Sequence, residues 1–325
     1  MLKSFIKKHW SSDHIFLTDP IILDFQHRSL DNYNFVVAVN KADGELHGVL
    51  GLISEGFYST GFIQTDDNLW LALWMVDKER AQSNSLGIDL LKFAEVKFRP
   101  RAISAIGITK RVVGVYRLMG FSIQTMNHWF MPNYSVRYRK LIVGEVQTKI
   151  APPNDFTIKI LTEKSHELIR EFLSHLPTTK DFNYIRRRYL IHPIYEYMLV
   201  GVFDQALELL GICVGREVRA QGGCAFRITD LLINRDLNAD ISFSFQQFLH
   251  KRGYEYVDFL ELGYSAQHLN DLGFIRCTDS LFVPHLFEPF VPGQENVLVA
   301  FKTNGHYLAV KGDSDLDRPN MSKKQ

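Results

Sequence analysis

The sequence has 325 residues, with 37 Lys and Arg against 36 Asp and Glu, a formal net charge of +1, and 46% hydrophobic residues. At roughly 150 residues per domain, this length predicts about two domains, and the composition excludes a disordered chain. The near balance of charge gives no indication of a nucleic-acid partner, which usually needs a basic face.

In chain order, the first half opens with a mixed segment to about residue 32 and then shows strand-like runs bounded by turn-forming residues. These runs are rich in β-branched or aromatic residues and lie at 35–39, 47–53, 69–76 and 102–108. Between them, apolar residues recur at helical spacing and predict a helix over 85–98. A short helix over 110–119 ends at Gly120, a residue type that favours a helix C-terminus, and further strands follow to about residue 143.

The second half repeats this order of elements. Leu118-Met119-Gly120-Phe121 matches Asp271-Leu272-Gly273-Phe274 at an offset of 153 residues. This favours an internal duplication, although helix–Gly–strand turns are common in themselves. We predict two domains, at 1–150 and 151–311, followed by a frayed polar tail at 312–325. Within the second domain the pattern predicts helices over 163–176, 241–250 and 266–272, and strands over 197–203, 207–214, 225–233 and 256–262.

The number and spacing of cysteines and histidines indicate whether the protein has disulfides or a metal site, and in which compartment it lies. The three cysteines, Cys213, Cys224 and Cys277, lack CxxC spacing and favour a reducing compartment without a disulfide framework. The 12 histidines form no HExxH or His-x-His pattern, so we expect no metal. Neither a signal peptide nor a run of about 18 apolar residues is evident, so we expect a cytoplasmic protein.

The segment between the predicted strand 69–76 and the predicted helix 85–98 carries the strongest functional signal. Its residues are mostly small or polar, and Ser85 and Gly87 would let an anion approach the backbone. Free amides at a helix start, together with the positive end of the helix dipole, form an anion site. The loop matches neither a Walker loop nor a GxGxxG fingerprint, and a well-capped helix without a ligand is the competing interpretation.

Two motifs here resemble those of the GCN5-related N-acetyltransferase (GNAT) superfamily. Gln82-x-x-Ser85-x-Gly87-x-x-Leu90-Leu91 resembles its Gln/Arg-x-x-Gly-x-Gly/Ala acyl-CoA loop, with Ser85 in place of the first glycine. Val115-Tyr116-Arg117-Leu118-Met119-Gly120-Phe121 is similar to its Tyr-x-x-x-Gly-Phe signature. The resemblance implies an α+β (α/β mixed) fold of two tandem GNAT-like domains. Each would be a mixed, mostly antiparallel sheet flanked by helices.

The resemblance also implies a site for acyl-CoA as co-substrate. The strand before the loop would pair with the pantetheine arm, the loop amides would hold the pyrophosphate, and an arginine would reach a phosphate. Tyr116 matches the tyrosine that acts as general acid toward the leaving thiolate, since a phenol with a pKa of about 10 can protonate that sulfur. A core aromatic residue on the helix face is the competing interpretation of Tyr116. The residues that match the binding roles are Trp74, Met75, Val76, Gln82, Ser83, Asn84, Ser85, Leu86, Gly87, Ile88 and Arg117.

Two further residues of the first half are candidates on chemical grounds. His128 titrates near neutrality and could accept the amine proton or orient the substrate, although a structural histidine on a strand is more common. Trp70 and Trp74 would lie on one face of their strand and could line the acyl pocket. Packing in the hydrophobic core is the alternative for both.

The second half lacks the features that would bind acyl-CoA. At the 153-residue offset, the loop serine, loop glycine and general acid correspond to Asn238, Asp240 and Leu269. Asp236 and Asp240 would place negative charge where a pyrophosphate should lie. We expect this half to keep the fold and to serve substrate recognition, dimerisation or the shaping of a cleft.

The second half offers residues for substrate binding. Arg187 and Arg188 could clamp phosphates beside the aromatic residues that follow them, with His192 close in sequence; a solvated helix face is the alternative. Asp230, at a strand end, could hold an amine or a hydroxyl, although a carboxylate in a turn or helix cap is more common. Together with Trp70, these four residues form the predicted substrate site.

The favoured function is N-acyl transfer from acyl-CoA to the amine of a nucleotide-linked amino sugar, by direct attack on the thioester. The layout resembles bacterial enzymes of that type, and the acyl group would be acetyl or a short hydroxyacyl such as 3-hydroxybutyryl. A tandem-GNAT aminoacyl or peptidyl transferase, and a non-catalytic CoA-binding or scaffold protein, are the alternatives. We expect the protein to bind a small-molecule substrate and to bind neither nucleic acid nor a membrane. A homodimer is possible on this interpretation.

Overall fold

Two mixed β-sheets flanked by helices form the frame of the molecule, as the sequence predicts. The computed structural model describes residues 1–80, 83, 85–136, 139–147, 153–234, 237 and 239–319. In the first half the helices are α1 Leu2–His9, α2 Ile15–Thr18, α3 Pro20–His27, α4 Glu55–Thr60, α5 Leu86–Phe98 and α6 Val113–Leu118. The strands of this half are β1 Arg28–Ser29, β2 Asn32–Tyr33, β3 Phe35–Val39, β4 Leu46–Ser54, β5 Asn68–Val76, β6 Ala102–Ile108, β7 Ser122–Thr125 and β8 Asn127–Pro132.

The second half has the same kinds of element. Its helices are α7 His166–Ser174, α8 Phe182–Ile185, α9 Ser242–Arg252 and α10 Ala266–Asp271, with a π-helical turn over Arg186–Leu190. Its strands are β9 Thr157–Leu161, β10 Tyr197–Phe203, β11 Leu209–Ala220, β12 Gly223–Ile233, β13 Tyr256–Leu262, β14 Ile275–Arg276, β15 Leu286–Phe287, β16 Phe290–Val291, β17 Leu298–Thr303 and β18 Ala309–Val310.

The mixed segment at the N-terminus folds as three short helices. Asp19 caps α3 by accepting a hydrogen bond from the amide of Ile21, and Pro20 occupies the first helical position, where its missing N–H costs nothing. Apolar side chains from all three helices pack with Leu73 and Val49 of the first sheet in one buried cluster. These helices therefore cover one face of the first sheet.

Each half contributes one strand to the sheet of the other half. The first sheet has the order β3-β4-β5-β6-β17-β7, and the second has the order β14-β8-β13-β12-β11-β10-β9, with β18 also paired to β13. Thus β17 lies between β6 and β7, and β8 lies between β13 and β14. The predicted division at residue 150 lies outside the described residues and stays a prediction, but main-chain hydrogen bonds across both exchanges join the two halves.

The matching turns at the proposed duplication have the same backbone geometry. Helices α6 and α10 are each followed by a glycine in the left-handed region, Gly120 with φ of +82° and Gly273 with φ of +96°. This conformation is one that only glycine adopts without strain, which explains why both copies carry it. The reciprocal strand exchange and these turns both follow the repeat that the sequence indicates.

A β-bulge in β5 corrects the prediction that Trp70 and Trp74 share a face. In the pairing with β4, Leu52 opposes Leu71 and Leu50 opposes Trp74, so the strand gains one residue between these pairs. One extra residue reverses the alternation of side chains. Trp70 therefore packs in the cluster between the halves, whereas Trp74 packs on the opposite face, beside α5.

The described part of the predicted frayed tail, residues 312–319, is ordered and mostly buried, which corrects that prediction. Asp313 and Asp317 are each only 2% exposed. Asp313 pairs with Lys180 at 2.9 Å, and Asp317 accepts two hydrogen bonds from Arg216 at 3.0 and 3.1 Å. The polar composition of this stretch reflects buried ion pairs, which sequence alone cannot distinguish from a solvated terminus. We call residues 309–319 the C-terminal segment.

Candidate active site

Strands β5 and β6 of the first sheet part soon after they begin. Their parallel pairing runs only to Trp70 and Ser104. Beyond that point β5 stays paired with β4 as far as Val76, and β6 stays paired with β17 as far as Ile108. The facing edges, residues 71–76 and 105–108, have no pairing with each other, and we call the space between them the first gap.

The loop that precedes α5 lies beside the first gap. Ser85 is the N-cap residue of α5, but its side chain makes no capping hydrogen bond. Its hydroxyl oxygen instead lies 2.8 Å from Oδ2 of Asp89 and 2.7 Å from the hydroxyl oxygen of Ser83. The amides of the first helical turn are therefore not capped by this side chain, and such amides are typical anion ligands.

The other predicted loop residues are only partly covered by the structure. Ser83 is exposed, and Leu86, Gly87 and Ile88 are half-buried at the start of α5. Gln82 and Asn84 lie outside the described residues.

Trp74 and Tyr116 meet between α5 and α6. Their ring centroids are 5.6 Å apart in an edge-on contact, and Tyr116 makes a similar contact with Phe121 at 5.2 Å. A Cβ at Gly87 would lie 3.3 Å from the indole nitrogen of Trp74, so a larger residue would press on this ring. Tyr116 is buried, and burial raises the pKa of its phenol well above the ordinary value. The structure thus brings together the predicted loop, strand and general acid.

The remaining predicted donor-site residues occupy the margins of this region. Met75 and Val76 are half-buried at the end of β5, where the strand is still paired with β4. Arg117 is exposed on α6. An exposed arginine is free to reach a ligand phosphate, so its assignment stays a prediction.

The second sheet has an equivalent gap, and the chain itself fills it. Strands β12 and β13 pair only from Phe226 to Ile228 and from Val257 to Phe259. Beyond that point β18 pairs with β13, and the amide of Lys311 donates to the carbonyl of Leu260 at 3.1 Å. On the other side, the amide of Gly312 donates to the carbonyl of Thr229 at 2.8 Å. Residues 309–312 therefore bridge both walls of this second gap.

Packing at Gly312 leaves no room for a ligand in the second gap. A Cβ at this glycine would lie 2.2 Å from the hydroxyl oxygen of Tyr189 and 2.9 Å from the carbonyl oxygen of Thr229. At the far end of the gap, the hydroxyl of Tyr264 donates to the carbonyl of Leu231 at 2.5 Å. Backbone groups that would otherwise be free for a ligand are satisfied by the chain.

The start of α9, the counterpart of α5, is also closed to anions. The carboxylate of Asp240 accepts a hydrogen bond from the amide of Ser242 at 2.8 Å. The helix start therefore already holds a negative charge from its own chain, and a second anion there would be repelled. The neighbouring residues Asp236 and Asn238 lie outside the described residues.

His128 lies in the second sheet, because its strand β8 is one of the two exchanged strands. Its Nε2 atom is 2.8 Å from Oδ2 of Asp258, and Asp258 also accepts hydrogen bonds from Arg227. Burial lowers the pKa of His128 despite this carboxylate. Among the described residues, the side-chain contacts of His128 lie in this buried network and at the ring of His285, and they do not include Trp74 or Tyr116.

The predicted substrate residues divide into a buried group and one exposed residue. Arg188, His192 and Asp230 are buried near the boundary of the two halves, and Trp70 belongs to the cluster that joins them. Asp230 accepts hydrogen bonds from Lys180 at 2.8 Å and from the hydroxyl of Tyr189 at 2.9 Å. Arg187, by contrast, is exposed.

Sequence reasoning missed a histidine beside the β5 bulge. The ring of His27 is fully buried, and its Nδ1 lies 3.2 Å from the carbonyl oxygen of Leu52. Nδ1 therefore carries the proton, and the lone pair on Nε2 has no hydrogen-bond partner among the described residues. Burial lowers the pKa of His27 to about 4, so the ring is neutral. No motif surrounds this residue, and only its three-dimensional position marks it.

The described residues contain no group of three or more His, Cys, Asp or Glu side chains placed to hold a metal ion. Among the same residues, none of the helices is both long and apolar enough to cross a membrane.

Comparison with known proteins identifies the fold. No family model and no curated protein matches the sequence. A GCN5-related N-acetyltransferase from Anabaena variabilis is similar in structure, with a TM-score of 0.55 and 13% identity over 93% of this chain and 69% of that chain. A probable N-acyltransferase of unknown function from Enterococcus faecalis gives a TM-score of 0.46 at 12% identity, over 80% of this chain and 60% of that chain. A tandem GNAT protein from the clavulanic acid biosynthesis pathway gives 0.42 at 12% identity, over 82% of each chain. The first of these likenesses shows that the chain has the fold of a GCN5-related N-acetyltransferase.

Proposed function

We propose that this protein is an N-acyltransferase that binds acyl-CoA in the first gap and transfers the acyl group to the amine of a small substrate. The observation that carries the proposal is the difference between the gaps. Strands β5 and β6 part beside an uncapped helix start, while the counterpart in the second sheet is filled by residues 309–312. An acetyltransferase fold with one free strand edge and one anion-binding helix start suits a single acyl-CoA.

In this proposal the substrate amine attacks the thioester carbonyl directly. The C–N bond forms, the C–S bond breaks, the amine loses a proton, and the thiolate of CoA gains one. Tyr116, beside Trp74 at the first gap, donates the proton to the sulfur. Burial raises the pKa of the phenol, and the same burial would raise the pKa of a thiol that leaves at this place, so desolvation does not by itself oppose the transfer.

Direct attack is favoured over an acyl-enzyme because the three cysteines are poor nucleophiles. Cys213, Cys224 and Cys277 are buried and reduced in the second half. Burial raises the pKa of each thiol to about 12, so the thiolate that would attack a thioester is scarce near neutral pH. The donor and the acceptor must then be bound at the same time.

We propose a nucleotide-linked amino sugar as the acceptor to test first. The buried arginine and aromatic side chains at the boundary of the halves, with Asp230 beside them, offer the groups that such a substrate would need. An aminoacyl or peptidyl transferase of the tandem-GNAT type is compatible with the same fold. It differs in requiring a nucleic-acid surface, for which the net charge of +1 gives no support.

Binding of acetyl-CoA tests the proposal directly. We expect acetyl-CoA and CoA to raise the midpoint of thermal unfolding, because a ligand that binds only the folded state stabilises it by RT ln(1 + [L]/Kd). When the protein is supplied with acetyl-CoA and an amino sugar linked to a nucleoside diphosphate, the transfer should release CoA with a free thiol. Absence of a thermal shift with acetyl-CoA, CoA and longer acyl-CoAs alike would contradict the proposal.

A further inference from the structure

Arg188 is a buried charge without a carboxylate partner. Its side chain has no solvent exposure, and among the described residues it forms no ion pair. Its Nε donates to the carbonyl of Gly312 at 3.0 Å, and its Nη2 lies 3.5 Å from the carbonyl of Ser314. Nη1 has no partner among the described residues. A buried guanidinium ordinarily needs a counter-charge, since its desolvation is costly.

Tyrosines surround this guanidinium, and two of them have unpaired hydroxyls. The guanidinium carbon lies 5.4 Å from the ring centroid of Tyr58 and 5.5 Å from that of Tyr189. The rings of Tyr58 and Tyr184 are 5.6 Å apart. Both hydroxyls are buried and have no hydrogen-bond partner among the described residues. Each leaves an O–H donor unused, which is costly unless something accepts from it.

His192 supplies a further unused donor at the border of this group. Its Nδ1 accepts hydrogen bonds from the amides of Ile194 and Tyr195 at 3.1 and 2.9 Å. The ring proton is therefore on Nε2, which is buried and unpartnered among the described residues. Burial lowers the pKa of His192 to about 3, so the ring is neutral. The ring of Phe25 lies between His192 and Tyr58. Its centroid is 4.6 Å from the ring centroid of His192 and 5.9 Å from that of Tyr58.

The unsatisfied atoms of Arg188, Tyr58, Tyr184 and His192 all offer a proton, and one of them carries a full positive charge. We propose that these four residues, which we call the donor cage, bind one anionic group of the acceptor, a carboxylate or a phosphate. A guanidinium that packs against tyrosine rings, together with buried hydroxyl donors, offers partners for the several acceptor oxygens of such a group. That the anion belongs to the acceptor rests on the proposed acyl transfer; that the donor cage binds an anion does not.

The C-terminal segment connects the donor cage to the first gap. Gly312 and Ser314 supply the carbonyls that Arg188 contacts, and Leu316 follows two residues later. A Cδ atom of Leu316 lies 3.5 Å from the Cβ position of Gly107, which stands on the wall of the first gap. An acceptor anchored in the donor cage could thus extend toward the first gap. Because the guanidinium is fully covered, access for an anion requires the part of the C-terminal segment beyond Gly312 to move, starting with Ser314, while residues 309–312 stay paired in the second gap.

Titration calorimetry with simple anions tests the donor cage. The probes are inorganic phosphate and propionate, with neutral propionamide as the uncharged control, added to the full chain in the presence of saturating CoA so that the loop before α5 is occupied. The double variant Tyr58→Phe, Tyr184→Phe removes only the two hydroxyls and keeps the rings. The matched control is the variant Arg186→Met, which changes an exposed arginine two residues before Arg188.

We expect phosphate or propionate to bind the wild type and Arg186→Met equally, and propionamide to bind neither. In the double variant binding should weaken about 10-fold or more, as expected for lost hydrogen bonds to a charged group. The two anions distinguish a phosphate site from a carboxylate site. Equal anion binding by the double variant, or no binding of either anion to the wild type, would overturn the donor cage. Loss of acetyl-CoA binding with anion binding intact would overturn the proposed function alone.

Discussion

The two sheets part at equivalent places, yet only one of the two gaps is filled by the described chain itself. In the first sheet, β5 and β6 separate after Trp70 and Ser104, and no other strand of the described chain bridges them. In the second sheet, β12 and β13 separate after Ile228 and Phe259, and residues 309–312 hydrogen-bond to both walls. The same splayed geometry therefore occurs once with a piece of the chain between the strands and once without it, and the proposed function places the ligand in the second case.

The starts of the two helices beside the gaps differ in the same sense. At α5 the hydroxyl of Ser85 leaves the first turn uncapped, whereas at α9 the carboxylate of Asp240 accepts from the amide of Ser242. At α9 a carboxylate therefore occupies a helix-start amide, whereas at α5 the carboxylate of Asp89 accepts from the hydroxyl of Ser85. The strand edge and the helix start are thus both open in the first half and both occupied in the second half. This is expected if the second half does not bind acyl-CoA.

The largest expected effect is on turnover by the variant Tyr116→Phe. The ring contacts with Trp74 and Phe121 are kept, so acetyl-CoA should bind as in the wild type. Loss of a general acid typically lowers kcat by about 10²- to 10⁴-fold. Steady-state kinetics and acetyl-CoA titration measure the two quantities separately. Tyr33→Phe, at an exposed position, is the control, and unchanged kcat in Tyr116→Phe would show that this phenol is not the acid.

The filling of the second gap depends on ion pairs that anchor the C-terminal segment. Asp317 accepts two hydrogen bonds from Arg216 and one from the hydroxyl of Tyr197. The variant Asp317→Ala leaves the buried arginine without this partner, and removal of one partner of a buried pair costs about 3–5 kcal/mol. Denaturant unfolding measures this loss. Asp279→Ala, at an exposed residue, should change stability by less than about 0.5 kcal/mol. Similar values for the two variants would contradict the anchoring role.

A change at the start of α5 should make the first half resemble the second. The variant Ser85→Asp places a carboxylate at the N-cap, which favours the helix but repels a pyrophosphate. Acetyl-CoA affinity should fall about 10- to 100-fold, since an added charge near the ligand costs roughly 1–3 kcal/mol. Ser85→Asn, with a neutral side chain of similar size, is the control. If both variants bind acetyl-CoA as the wild type does, the loop before α5 does not hold the phosphates.

The last expected effect concerns stability at mildly acidic pH. Burial lowers the pKa of His14 and His27 to about 4 and that of His192 to about 3, below the ordinary value of 6.5. The unfolded chain takes up these protons first, so stability present above pH 6.5 is lost as the pH falls toward 4. The pKa values of His128, His268 and His285 are lowered as well. The pKa values of the carboxyls of Asp67, Glu261 and Asp313 are raised, that of Asp313 to about 6, and these groups act in the opposite direction.

We therefore expect the midpoint of thermal unfolding to fall between pH 7 and pH 5. The variant His27→Gln should flatten this dependence, because it removes one of the histidines whose pKa is lowered. A midpoint that rises on acidification would contradict the buried neutral state of these histidines.

Local patterns predicted most of the regular elements well. The strands Phe35–Val39, Ala102–Ile108, Tyr197–Phe203 and Tyr256–Leu262 have the predicted bounds, because period-two alternation and flanking turn residues act over a few residues. The bulge in β5 was not predictable, since one inserted residue leaves the composition of a strand unchanged. Its consequence, the opposite placement of Trp70 and Trp74, was therefore missed.

Pairing between residues that are far apart in the chain was the other feature that the sequence did not predict. The exchange of β8 and β17 carries His128 into the second sheet, although it follows Tyr116 by only a few residues. The burial of Asp313 and Asp317 likewise depends on Lys180 and Arg216, which are more than a hundred residues away in the chain. The anion site proposed at the start of α5 could be predicted locally, because its loop and helix are contiguous in the sequence.

The stoichiometry of acetyl-CoA binding tests the central claim most directly. Isothermal titration of the full chain with acetyl-CoA should give one site per chain, and Ser85→Asp should weaken that site. Two sites per chain would show that residues 309–312 do not close the second gap. No site at all would show that the first gap does not take acyl-CoA, and either result would contradict the account of one open and one filled gap.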